Sequence, residues 1–73
     1  NPKVIDERFS ALSPREVEVL RLFVAGNSVG DIARQLNLSV KTVSTQKVAA
    51  MQKLEVLNDH ALLTYCIKAD PFE

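Results

Sequence analysis

The sequence is poor in the residues that most site chemistries need: one cysteine, one histidine and no tryptophan among 73 positions. A single thiol, Cys66, cannot close an internal disulfide, and it fits a reducing, cytoplasmic compartment. One Cys and one His exclude a four-ligand Cys/His zinc site. The longest unbroken apolar runs are four residues, Leu22 to Ala25 and Val48 to Met51, whereas a bilayer-spanning helix needs about 20. There is no glycine-rich phosphate loop, no nucleophile–base pair and no carboxylate pair in a plausible cleft. No enzyme is expected, and with it no cofactor, no metal, no bound small molecule and no membrane partner. No signal-peptide pattern is present either. An excess of charge is also missing: nine basic residues balance nine acids. Taken alone, that zero speaks against a partner as anionic as nucleic acid.

What is present fits one small soluble domain, with 47% hydrophobic and 25% charged residues. Residues 1–11 mix charge, a proline and scattered apolar groups without period. They read as a linker from a missing N-terminal domain, with Val4, Ile5 and Phe9 as docking points. From there on, the signals are helical. Ser13, Pro14 and Glu16 form a capping box with Pro at the first helical position. Val17, Leu20 and Val24 follow at helical spacing, widened by Val19 and Phe23, and Gly26 supplies a left-handed stop. The first helix is therefore expected over about 14–25. Ser28 and Asp31 read as a second capping box opening a short helix with Ile32, Ala33 and Leu36 inward, ended by Asn37. Ser39 caps a third helix with Val43, Ala50 and Leu54 on one face. Asn58 caps a fourth, with Ala61, Leu62, Tyr65 and Cys66 inward, stopped by Asp70-Pro71. The expected fold is all-α, a four-helix bundle-like domain over 12–70 with a C-terminal tail at 71–73.

The second and third helices, joined by a turn of about three residues, describe a helix-turn-helix. On the third helix, Lys41, Thr45, Val48 and Gln52 fall roughly 140–200° from the Val43 face, and Ser44 about 100° from it. That outward face offers a cation, hydroxyls, an amide and one apolar contact, with no acid and no bulky aromatic group. Such a surface suits the major groove, where hydroxyls reach base edges or phosphates and Val48 meets a thymine methyl. The charge is also distributed unevenly. From Ile32 to Leu54 there are four basic residues (Arg34, Lys41, Lys47, Lys53) and no acid, while the remainder holds five basic residues and nine acids. The zero is thus +4 against −4, and a phosphate backbone responds to the local field.

Residues 12–54 resemble the LuxR-type helix-turn-helix of the NarL/FixJ response-regulator family. The family pattern L-[ST]-x-R-E-x-x-V-L matches Leu12 to Leu20, G-x-[ST]-x-x-[ED]-I-A matches Gly26 to Ala33, and L-x-[IL]-S-x-x-T-V matches Leu36 to Val43. Lys53-Leu54 supplies the closing K-L. The resemblance implies the output domain of a bacterial transcription regulator, of the two-component, phosphorelay type. It would bind double-stranded DNA with the third helix in the major groove and the fourth aiding dimerisation. By position it makes Ser44, Thr45 and Val48 base-facing, and Ser39, Lys41, Thr42, Lys47 and Lys53 backbone contacts. Leu57, His60, Leu63, Thr64 and Lys68 lie in the region that supplies dimer contacts. The implied partners are a homodimer or a heterodimer with another regulator, and RNA polymerase. The chain departs from the pattern at Glu55, where the family has Gly, at Gln46, where His is common, and at Val48 and Gly30, where polar residues are usual.

Two other classes share this size and helix content. An acyl carrier needs a Ser in a D-S-L context on an acidic chain, whereas Ser39 sits in L-S-V on the basic stretch. A helical protein-interaction module without DNA binding is the other, and it predicts no response from Lys41 to Val48 when duplex DNA is added.

Overall fold

The computed structural model describes residues 7–69. Five helices follow in order: α1 (Glu7–Ser10), α2 (Pro14–Val24), α3 (Val29–Leu36), α4 (Val40–Leu54) and α5 (Asp59–Ala69), with no strand among the described residues. The all-α expectation holds, and the four helices read from the sequence are α2 to α5.

The caps form where the sequence places them. Ser13 Oγ accepts from the Glu16 amide at 3.2 Å, and Glu16 Oε1 accepts from the Ser13 amide at 2.9 Å, closing the capping box on α2. After α2, Gly26 adopts φ +108°, a conformation that L side chains rarely take. The amide of Asn27 then reaches back to the Leu22 carbonyl at 3.1 Å, the six-to-one bond of a helix stop. Ser28 Oγ accepts from the Asp31 amide at 3.1 Å. The return bond of the expected second box is not formed, because the Asp31 carboxylate pairs with Arg34 one turn on. Asn37 closes α3 in the left-handed region at φ 58°. Ser39 Oγ caps α4 through the Thr42 amide at 3.0 Å, and Asn58 Oδ1 accepts from the Ala61 amide at 2.8 Å to start α5.

The core has two lobes, and α4 contributes to both. Val43 packs with Val19, Ile32 and Ala33, while Ala50 and Leu54 pack with Leu12, Leu20, Leu62 and Cys66. Phe23 lies against both lobes. The inward triad Val43, Ala50 and Leu54 is fully buried, as its spacing requires. This packing fixes which side of α4 faces out.

One element lies outside the expected set. Within the stretch read as linker, Glu7–Ser10 form a turn of helix. Its Phe9 packs on the Leu54 lobe, which is the docking role the sequence suggested. Arg8 Nη1 lies 3.3 Å from both the Leu54 carbonyl and Glu55 Oε1. Four residues carry too little periodicity to announce a helix; the turn is held by these tertiary contacts. Val4, Ile5, the Asp70-Pro71 stop and the 71–73 tail lie outside the described residues.

Candidate nucleic-acid interface

A helix presents to a partner whatever its core-facing stripe leaves outside. On α4 the exposed residues are Val40, Lys41, Thr42, Ser44, Thr45, Val48, Gln52 and Lys53, of which Lys41, Ser44, Thr45, Val48 and Gln52 form the side turned away from Val43. Ser44, Thr45, Val48, Ala49 and Gln52 line one shallow concavity along the helix. Val48 keeps 52% of its surface in water, and its apolar branch stands among hydroxyls and an amide. The three residues expected to face bases therefore lie together on a free surface. Gln52 belongs to the same strip, and the helical phase alone places it there.

The N-terminus of α4 forms one end of this strip. Its first turn contains no acid, so the positive end of the helix dipole is uncompensated and favours an anion. Lys41 is exposed there and has no ion-pair partner among the described residues. Ser39 and Thr42 are exposed beside it. Their hydroxyls are joined at 2.8 Å, with Ser39 Oγ donating to Thr42 Oγ1.

The other two lysines of α4 are placed differently. Lys53 Nζ lies 2.8 Å from Glu16 Oε1. Lys47 Nζ lies 2.9 Å from Asp59 Oδ1 and 4.1 Å from the centroid of the Phe23 ring. Arg34 pairs with Asp31. Of the four cations that make the 32–54 segment basic, three thus hold acids supplied from outside it or one turn away. Sequence arithmetic misses this because Glu16 and Asp59 are distant in the chain or beyond the segment's end. The Glu16 carboxyl shows the balance of forces. Burial alone raises its pKa, but the Lys53 ammonium and the Ser13 amide and hydroxyl outweigh that and hold it below the ordinary carboxylate value.

The expected dimer residues lie on and before α5. Leu57 is 93% exposed. His60 and Lys68 are exposed, and Leu63 and Thr64 are half-buried. His60, Leu63 and Thr64 share one helical face with Ile67, which is 75% exposed. Ile67 is not among the residues expected to pair, although it stands three residues after Thr64 and seven after His60, the spacing of one helical face. Cys66, on the opposite side, is buried, and burial pushes its thiol up to about 11.

No group of three or more His, Cys, Asp or Glu residues suited to a metal occurs among the described residues. No helix among them is long and apolar enough to cross a membrane.

Comparison with known proteins gives concordant matches. The family described as bacterial regulatory proteins, luxR family, matches residues 10–66. The transcriptional regulatory protein RcsB of Escherichia coli (strain K12) is 61% identical over 54 residues, which cover 74% of this chain and 25% of that protein. The solution structure of the DNA-binding domain of the Erwinia amylovora RcsB protein has a TM-score of 0.76 at 56% identity, covering 81% of this chain and 68% of that one. A structure of two RcsB dimers bound to two parallel DNAs has a TM-score of 0.76 at 57% identity, covering 84% of this chain and 31% of that one. The chain spans about a quarter of the length of the curated relatives it matches.

Proposed function

Because the chain belongs to the luxR family of bacterial regulatory proteins, we propose that it binds double-stranded DNA sequence-specifically, as the output domain of a transcription regulator. The observation that carries this reading is the outward face of α4. It is an acid-free strip of hydroxyls, one amide and one valine, entered from a helix N-terminus with an unpaired lysine. In this reading α4 lies in the major groove. Ser44, Thr45 and Val48 meet base edges, and Ser39, Lys41 and Thr42 hold the backbone. Lys53 reaches phosphate only by leaving Glu16 or by sharing it.

Two copies pair through the exposed face of α5 and read half-sites about one helical turn apart. The structure of a relative, two RcsB dimers bound to two parallel DNAs, supports pairing on DNA. The longer regulator is of the two-component type, acts in the bacterial cytoplasm, and has RNA polymerase as a further partner. Residues 1–11 link the 12–70 module to the rest of it, with α1 docked on that module through Phe9 and Arg8. The family is one of transcription regulators, and we assign the domain no catalytic role.

Chemical-shift titration of the chain with duplex DNA tests the reading. Shifts centred on Lys41 to Val48 are expected. Silence there, with shifts appearing on addition of a protein partner, would favour a protein-interaction module.

A further inference from the structure

Lys47 is the least exposed cation on the DNA-facing helix. Only 13% of its side chain meets solvent. Counted around α4, it lies about 40° from Val43, on the core side and away from Thr45 and Val48. Its stem runs to the α2 ring of Phe23, with Nζ 4.1 Å from the centroid. Its charge ends 2.9 Å from Asp59, the first residue of α5. Three helices therefore meet at one ammonium. Asp59 also opens α5, so the Lys47 ammonium meets that helix at its first residue. A phosphate ligand would need this lysine to abandon both an acid and an aromatic face, whereas Lys41 already stands free.

We propose that Lys47 is a positioning residue. It stays on the protein when DNA binds, and through Asp59 it fixes the angle at which α5 leaves α4. This rests on the DNA reading above and deepens it. If α4 reads a half-site and α5 pairs two copies, the α4–α5 angle sets the separation of the two recognition helices. Lys47 then governs how well two half-sites are read together, and leaves the reading of one half-site alone. The apolar contacts of Leu62 and Cys66 hold α5 against the core, but such contacts are non-directional. A charge-assisted pair at the start of the helix is directional.

The test uses the whole chain and two probes. One is the duplex that the wild-type chain selects from a random-sequence pool. The other is the same duplex with one half scrambled. Binding is read by fluorescence anisotropy across a salt series, well below each variant's melting midpoint. Lys47→Met keeps the stem over Phe23 and removes the charge. It is expected to leave single-site affinity within about twofold and the salt slope unchanged, while the paired-site advantage falls about tenfold. Asp59→Asn should reproduce that loss, the double variant should be no worse than either, and Lys47→Arg should restore most of it. Lys41→Ala serves as the contrast: its log–log salt slope should fall by about 0.9 per bound copy, with the paired-site advantage kept. The proposal is overturned if Lys47→Met loses slope as Lys41→Ala does, or if Asp59→Asn tightens single-site binding with a steeper slope. It is equally overturned if both variants keep the full paired-site advantage. Absence of salt-dependent binding by the wild-type chain itself overturns the DNA reading, and the proposal with it.

Discussion

Replacing Glu16 by Gln isolates the charge of a carboxylate that serves two helices at once. Glu16 Oε1 accepts from the Ser13 amide at 2.9 Å and from Lys53 Nζ at 2.8 Å. Its side chain is 11% exposed, while that of Lys53 is 39% exposed. The amide of Gln keeps an oxygen for the Ser13 bond, so the cap survives and the ion pair does not. Breaking a fully buried pair costs about 3–5 kcal/mol, and an exposed pair is worth at most about 1. With one partner buried and the other able to turn to water, the loss should fall near 1–2 kcal/mol. For a domain of this size that is a drop of roughly 4–16 °C in melting midpoint. The pH dependence has a fixed sign. The folded pKa lies below the ordinary value of 4.5, so the stabilisation is fully present above that value and is lost as the pH falls through the folded one. Thermal melts of both chains between neutral and acidic pH should therefore converge as the pH drops below about 4.5. A Gln variant that melts with the wild type at neutral pH would refute the role given to the pair. So would a gap between the two chains that stays constant down to acid pH.

Three further outcomes follow from the packing and the outward face. Leu54→Ala empties a fully buried site between α2, α4 and α5 and should cost about 2–5 kcal/mol in a urea titration. Lys41→Glu and Thr45→Ala should each weaken DNA binding in an anisotropy titration while leaving the melting midpoint nearly unchanged; if both unfold the domain, the outward face of α4 is misassigned. Gly26→Ala meets no atom within 4 Å of the added carbon, so its cost should be purely conformational, about 1–3 kcal/mol at φ +108°. A melt indistinguishable from wild type would show that the α2 stop relaxes.

Most of the fold was legible because its signals are local. Ser13, Ser28, Ser39 and Asn58 are caps whose chemistry acts within three residues, and each forms the expected bond. Val43, Ala50 and Leu54 declare their face by spacing alone, and all three are fully buried. What stayed hidden was tertiary. The α1 turn exists through Phe9, which packs on the Leu54 lobe, and Arg8, whose partners lie more than 40 residues away. The same contact bears on Glu55, which takes the left-handed conformation at φ 60° in the place where the family has Gly. That conformation costs a side-chain residue of order 1–2 kcal/mol. Arg8, 3.3 Å from both the Leu54 carbonyl and the Glu55 carboxylate, supplies part of the offset.

The candidate interface was half legible for a related reason. Phase around one helix needs only the sequence, so Ser44, Thr45 and Val48 emerge on the same strip as expected. Charge is a pairwise property, and the pairs of Lys47 and Lys53 lie on other helices. The basic segment is therefore less a uniform phosphate-binding stripe than a single free lysine at a helix N-terminus, backed by two lysines paired with Asp59 and Glu16. Affinity for one half-site should then be modest and its salt dependence shallow, since each phosphate neutralised contributes only about 0.9 to the slope. Specific binding would come from the paired arrangement, where two such sites act together at an effective concentration set by how rigidly α5 is held. On the proposed reading, the Lys47–Asp59 pair that lowers the count of free cations is also the one that fixes the geometry of pairing.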